Sequence, residues 1–331
     1  MIPAIFGCEG PTVTADEVTF FRDADPLGFI VFARNIGSPD QVLRLTSALR
    51  ETVGRNAPVL VDQEGGRVQR LRAPHWREWL PPLDTVSRAV DPLQAMFLQS
   101  RIMAHELRAV GIDANCAPCA DVATDMTHPF LKNRCYHTDP AVVSRIARAV
   151  ADGHLAGGVL PVMKHLPGHG RATQDTHHDL PTVDVSAHDL IATDFAPFHA
   201  LADLPMAMTA HIVFSAFDDL PATQSATMIG VIRETIGFQG LLITDDLNMQ
   251  ALSGTVAERA LASIRAGCDI ALHCRGTVAE MAETAAAIGA MSAATMARAD
   301  AALARRITPE PVDIAALDAA FSQAMGQGVH V

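Results

Sequence analysis

The strongest constraint on this chain is a recurrence: a short apolar run, a polar tip, then a stretch with helical periodicity. The runs fall at residues 4–7, 29–33, 59–62, 112–120, 159–164, 206–211, 241–245 and 269–273. Runs that are apolar almost throughout suit strands buried on both faces, as in a parallel sheet covered by helices. Helical patterns lie between several of them, at 40–53, 93–110, 139–156, 189–202 and 226–236. A later Ala-rich stretch, 279–304, carries Glu280, Glu283, Arg298 and Asp300 and reads as surface-packed helix that Gly289 divides. Eight such units predict an α/β fold, a (β/α)8 barrel, with residues 1–331 as a single domain. A doubly wound open sheet shares the same alternation.

The polar tips favour the barrel. Seven of the runs end at Arg34, Asp62, Asp121, Lys164-His165, His211, Asp245 and His273. In a barrel these ends converge on one face, where active sites are built. Composition narrows what that face can bind. The chain has net charge −12 and no long Lys/Arg cluster, which argues against nucleic acid or an anionic membrane as partner and for a small or neutral ligand. Six cysteines in 331 residues are too sparse for a disulfide scaffold. The N-terminal residues lack a basic, then apolar, secretory pattern, and no stretch is long enough to span a bilayer, so the expected compartment is the cytoplasm.

Three clusters carry the chemistry. In VDQEGGRVQR (61–70), Asp62 ends a strand, and Gly65-Gly66 allows a close approach of backbone or ligand. Carboxylates and guanidinium groups on such a loop suit the directional hydrogen bonding that sugar hydroxyls need; a tight turn with an internal ion pair would have the same composition. The glycine spacing excludes a dinucleotide fingerprint. KHLPGHG (164–170) runs on to DTHHD (175–179), where Asp175 is close enough in sequence to orient His177 for proton transfer. These histidines fit no standard zinc spacing, so no metal and no cofactor is expected. In LLITDDLNM (241–249), Asp246 stands where it could cap a helix starting at Leu247, while Asp245 has no such structural role. Cys116-x-x-Cys119 reads as a pair of buried structural thiols, Arg134 as a ligand clamp or a surface side chain, and Trp76 and Trp79 as packing residues of which one could stack on a sugar.

In this order the clusters resemble the family 3 glycoside hydrolases, and more narrowly their single-domain bacterial β-N-acetylglucosaminidases of cell-wall recycling. The resemblance covers nearly the whole chain, with Leu166 where Phe is usual and Gln63 where His is common. It implies a TIM-like barrel whose strands are often irregular. It implies Asp245 as catalytic nucleophile, His177 as acid/base assisted by Asp175, and Asp62, Arg70, Arg134, Lys164 and His165 as sugar ligands. The implied substrate is a muropeptide with terminal β-linked N-acetylglucosamine (GlcNAc) on 1,6-anhydro-N-acetylmuramic acid. A phosphorylase acting through the same glycosyl-enzyme is the main alternative. A metal-dependent amidohydrolase would want an H-x-H pair after its first strand, and the first histidine here is His75. Oligomeric state is not legible.

Overall fold

The computed structural model describes residues 1–174 and 179–326. Its strands are β1 (Ile2–Gly7), β2 (Pro26–Val31), β3 (Val59–Val61), β4 (Ala114–Asn115), β5 (Leu160–Leu166), β6 (Thr182–Val183), β7 (Met206–Thr209), β8 (Val213–Phe214), β9 (Leu241–Ile243) and β10 (Ala271–His273). Eight of them form one parallel sheet in the order β10-β1-β2-β3-β4-β5-β7-β9. A parallel bridge between Ile243 and Ile270 joins the two ends, so the sheet closes into the expected TIM-like (β/α)8 barrel. β6 and β8 pair separately.

The alternation of side chains explains why the strands read as continuous apolar runs. Ile5, Ile30, Leu60, Val162, Leu241 and Ile243 meet in the barrel interior. Their neighbours Ala4, Phe6, Phe29, Val31, Val59 and Val61 pack outward against helix residues such as Phe21, Val42, Leu45 and Leu49. Both faces are buried, as a helix-covered parallel sheet requires. The period of two also fixes what lies just past each strand. After inward Leu60 and outward Val61, Asp62 turns inward. After inward Ile243 and outward Thr244, Asp245 turns inward.

Most expected helices are present, including Pro39–Val53, Pro92–Ala109 and Pro140–Ala156. The last two cross closely: a Cβ on Gly153 would lie 2.4 Å from the Phe97 carbonyl. The Ala-rich stretch divides as expected into Val278–Ile288 and Ala293–Leu303, with Gly289 between them at φ 65°.

Elsewhere local chemistry overrides the pattern. The 189–202 segment is two short helices, Ala187–Ala192 and Ala196–Ala200, and 226–236 continues from Ala226–Gly230 into a π-turn at Val231–Thr235. The 112–120 run is a regular strand only at Ala114–Asn115: Ala117 N turns back to Asn115 O, and pairing resumes only as an isolated bridge between Cys119 and Lys164. The side chain of Asn115 takes over the pairing there: its Oδ1 accepts from Gln63 N and its Nδ2 donates to Gln63 O, which pins the tip of β3. No helix starts at Leu247; the chain turns, and the next helix is Val256–Ala266.

Closure between β9 and β10 rests on Asp269. Its buried carboxylate accepts from Leu242 N (3.0 Å), Arg233 Nη2 (2.7 Å) and Arg298 Nη2 (2.6 Å). Asp269→Ala leaves two guanidinium groups without their counter-charge and should cost about 3 kcal/mol. Urea denaturation checks this; a loss below about 1 kcal/mol would mean the barrel closes without this node.

Candidate active site

At the C-terminal mouth of the barrel, Asp62, Arg70, Arg134, Lys164, His165 and Asp245 line one pocket. The sequence-predicted sugar ligands and the predicted nucleophile are therefore brought together. Asp175 and His177 lie outside the described residues.

A chain of charges organises one wall. Lys164 Nζ lies 2.9 Å from Asp62 Oδ1 and 2.5 Å from Glu64 Oε1. Arg70 Nη2 donates to Asp62 Oδ2 at 3.1 Å. Glu64 receives a two-pronged contact from Arg134, Nε at 2.9 Å and Nη2 at 2.8 Å. Glu64, Arg134 and Lys164 are all buried, and the pairing decides their ionisation. Burial opposes charge on Glu64, but Arg134 and Lys164 outweigh it and hold the carboxyl down to about 2. Asp62 is held well below the carboxylate range by Lys164 and Arg70 against the same burial. Lys164 is pushed up by Asp62 and Glu64 despite burial, so all three stay charged at neutral pH.

His165 sits where β5 loses register, between Met163 and Leu166, which frees it from strict alternation. Its Nδ1 lies 2.7 Å from Asp121 Oδ2, so the imidazole donates there and offers Nε2 to the pocket, 3.5 Å from Arg134 Nη2. Asp121 also accepts from His169 N at 2.6 Å. Asp245 lies on the same pocket. Burial would raise its pKa, but His165, His211 and the Asp246 N–H lower it, so the carboxylate is ionised. Asp246 is raised instead, by burial first and then by the charge of Asp245. Two adjacent carboxyls with diverging acidities suit different roles. His211 supports this turn: its Nε2 donates to the Asp246 carbonyl at 3.0 Å.

Several expectations need correction. Asp246 caps no helix; its Oδ1 accepts from Asn248 N (3.0 Å) and Cys274 N (3.3 Å), clipping the turn after β9 to the tip of β10. The glycine pair serves the protein's own packing, since a Cβ on Gly65 would lie 2.5 Å from the Leu80 carbonyl. Arg34 ties two backbone carbonyls, Cys8 and Cys274, and His273 meets the Arg275 carbonyl; neither lines the pocket. Trp79 packs edge-on against Phe321 and Trp76 against the core, while the aromatic walls of the pocket are Phe32 and Phe130. Cys116 and Cys119, by contrast, are buried free thiols as expected, though in separate clusters.

Sequence reasoning passed over Glu64 and His169 as site residues, although both stood within the motifs. Glu64 lies two residues from Asp62 in the strand-to-loop segment, and that i, i+2 spacing of carboxylates at a strand end was the available signal.

A closed parallel barrel with an ionised carboxylate facing a hydrogen-bonding charged wall suits a glycosidase. Comparison with known proteins agrees. Residues 15–308 match the glycosyl hydrolase family 3 N-terminal domain. The chain is 38% identical over 282 residues to a β-hexosaminidase of Alkalilimnicola ehrlichii, covering 82% of this chain and 80% of that protein. It is 39% identical over 281 residues to a β-hexosaminidase of Xylella fastidiosa, covering 82% of each. NagZ from Neisseria gonorrhoeae, solved with N-trifluoroacetyl-D-glucosamine, superposes with a TM-score of 0.86 at 29% identity, over 98% of this chain and 97% of that one. A family 3 β-N-acetylglucosaminidase from Paenibacillus aligns with a TM-score of 0.82 at 28% identity over 99% of this chain, which spans 62% of that longer protein. The chain belongs to glycoside hydrolase family 3.

Glu64→Gln removes the charge that both Lys164 and Arg134 face, and should cost about 3 kcal/mol. The pH dependence follows from the depressed acidity of Glu64. Its contribution is complete above about 4.5, the ordinary value, and is lost as pH falls toward about 2. The stability gap between wild type and Glu64→Gln, measured by urea denaturation, should therefore shrink steadily below pH 5. A gap that stayed constant down to pH 2 would contradict the assignment.

Proposed function

We propose that this enzyme is a retaining exo-β-N-acetylglucosaminidase. It removes terminal β-linked GlcNAc from cytoplasmic muropeptides carrying 1,6-anhydro-N-acetylmuramic acid, in the recycling of peptidoglycan. The reading rests above all on one observation: an ionised Asp245 on a pocket that also holds Asp62, Arg70, Lys164, Arg134 and His165. The β-hexosaminidase relatives and the acylated glucosamine bound to the Neisseria protein support the choice of sugar. Residues 1–331 act as one catalytic barrel domain.

In this mechanism Asp62, Arg70, Arg134, Lys164 and His165 bind the hydroxyl and acetamido groups of the sugar. The preformed ion pairs hold these donors and acceptors in place before substrate arrives, so little reorganisation is needed. Asp245 attacks the anomeric carbon as His177, oriented by Asp175, protonates the departing oxygen. The bond to the leaving group breaks, and a glycosyl ester to Asp245 forms. His177, now neutral, takes a proton from water, which attacks the anomeric carbon and releases the sugar with retained configuration. Imidazole suits both proton transfers because its ordinary pKa, ~6.5, lies near neutrality.

A chromogenic β-N-acetylglucosaminide should be cleaved far faster than its β-glucoside analogue, without added metal and with the same products in the presence of phosphate. Equal rates on the two sugars would sink the specificity, and a glycosyl phosphate product would favour the phosphorylase alternative. His177→Ala should slow substrates with poor leaving groups much more than activated aryl glycosides, since only the former need protonation. Uniform slowing across leaving groups would assign His177 to binding or folding instead.

A further inference from the structure

The backbone of Cys119 pairs with that of Lys164, and its thiol is built into the support of His165. Its Sγ lies 3.2 Å from Asp121 Oδ2, the same oxygen that His165 Nδ1 approaches at 2.7 Å. One carboxylate oxygen thus receives two donated hydrogens, one from sulfur and one from imidazole. Donor atoms of Cys119, Asp121 and His165 all lie within 4.8 Å of one another, and all three side chains are buried. They form the only such trio among the described residues.

A thiolate, a carboxylate and an imidazole converging on one point are the donors that zinc and cadmium favour, with water in the fourth place of a tetrahedral site. We propose that Cys119, Asp121 and His165 form a binding site for a thiophilic divalent cation, Zn2+ or Cd2+, whose occupation inhibits the enzyme. No ion is needed for the fold, because hydrogen bonds satisfy the same atoms in the free protein. The contact with Cys135, burial and the Asp121 charge all keep the Cys119 thiol protonated until a cation arrives. Binding then releases one proton, that of Cys119, to solvent. The imidazole proton leaves Nδ1, which takes up the metal, and reappears on Nε2. Thiolate and carboxylate together balance the two positive charges.

Inhibition follows from the tautomer and rests on the role of His165 proposed above. With the metal on Nδ1, His165 presents N–H rather than a lone pair at Nε2, the atom 3.5 Å from the Arg134 Nη2 donor. Two donors then face each other on the sugar-binding wall, and the ring no longer has Asp121 to hold it for substrate.

The test is a titration of the full-length protein with Cd2+ in a thiol-free reductant, followed by the ultraviolet charge-transfer band of a cadmium thiolate and, in parallel, by turnover. Wild type and Cys135→Ala should develop the band to one cation per chain, with turnover falling in step. Cys119→Ser keeps the size of the side chain but loses the soft donor. It should show no band, and the cation concentration that halves its own turnover should rise at least tenfold. Cys119→Ala serves as the second variant should serine perturb the fold. An unchanged band in the Cys119 variants, its loss in Cys135→Ala, or wild type without a band would overturn the site. A saturating band without inhibition would keep the cation site and overturn its control of activity. The absorbance reads the site even if the enzyme cleaves a different sugar.

Discussion

The active site depends on one buried carboxylate, Glu64, held between Arg134 and Lys164. Each of these groups would be costly to bury alone, and none could remain charged there without its partners. Linked to Asp62 and Arg70, they form a continuous array across the mouth of the barrel. A sugar offers no charge to such a site, only hydroxyl and amide groups that want fixed partners. Rigid, fully charged donors and acceptors suit that directionality, while Asp245 is kept ionised chiefly by His165, His211 and the Asp246 N–H, with Lys164 adding less.

The barrel makes this array possible through parity. Strand alternation delivers Asp62, Lys164 and Asp245 to the interior from three separate strands, and Asn115 fixes the tip of β3 where its neighbouring strand is too short to do so. His165 is brought in by a break in regularity, at the register shift of β5. Asp121 and His211 act from behind the pocket, one orienting the His165 imidazole, the other bracing the turn that follows Asp245.

Much of this was legible in the sequence because burial on both faces leaves a plain signal. All eight barrel strands overlap the apolar runs, although β1, β2 and β5 extend past them, and the polar tips pointed to the correct face of the fold. What was not legible arose where side chains replaced backbone regularity. The run at 112–120 looks like a long strand because Cys116, Ala117 and Cys119 are buried, but burial there comes from packing of an irregular segment broken at Pro118. Asp246 sits in a sequence suited to a helix cap, and it does accept a backbone N–H from Asn248, yet the following residues turn, and Asp246 also accepts from Cys274 N at the tip of the neighbouring strand. Trp76 and Trp79 are typical sugar-stacking residues by composition alone. Their place in space is set by the C-terminal helix Ile314–Ala324 and the core, which no local pattern encodes.

On the proposed mechanism Asp245, and not its neighbour, becomes covalently bonded to the sugar. Treating the enzyme with a mechanism-based fluorinated N-acetylglucosaminide and sequencing the labelled peptide by mass spectrometry tests it directly. The account predicts one sugar per chain, attached through an ester to the Asp245 carboxylate. A label on Asp246, or turnover of the reagent with no adduct on the 241–249 peptide, would contradict it.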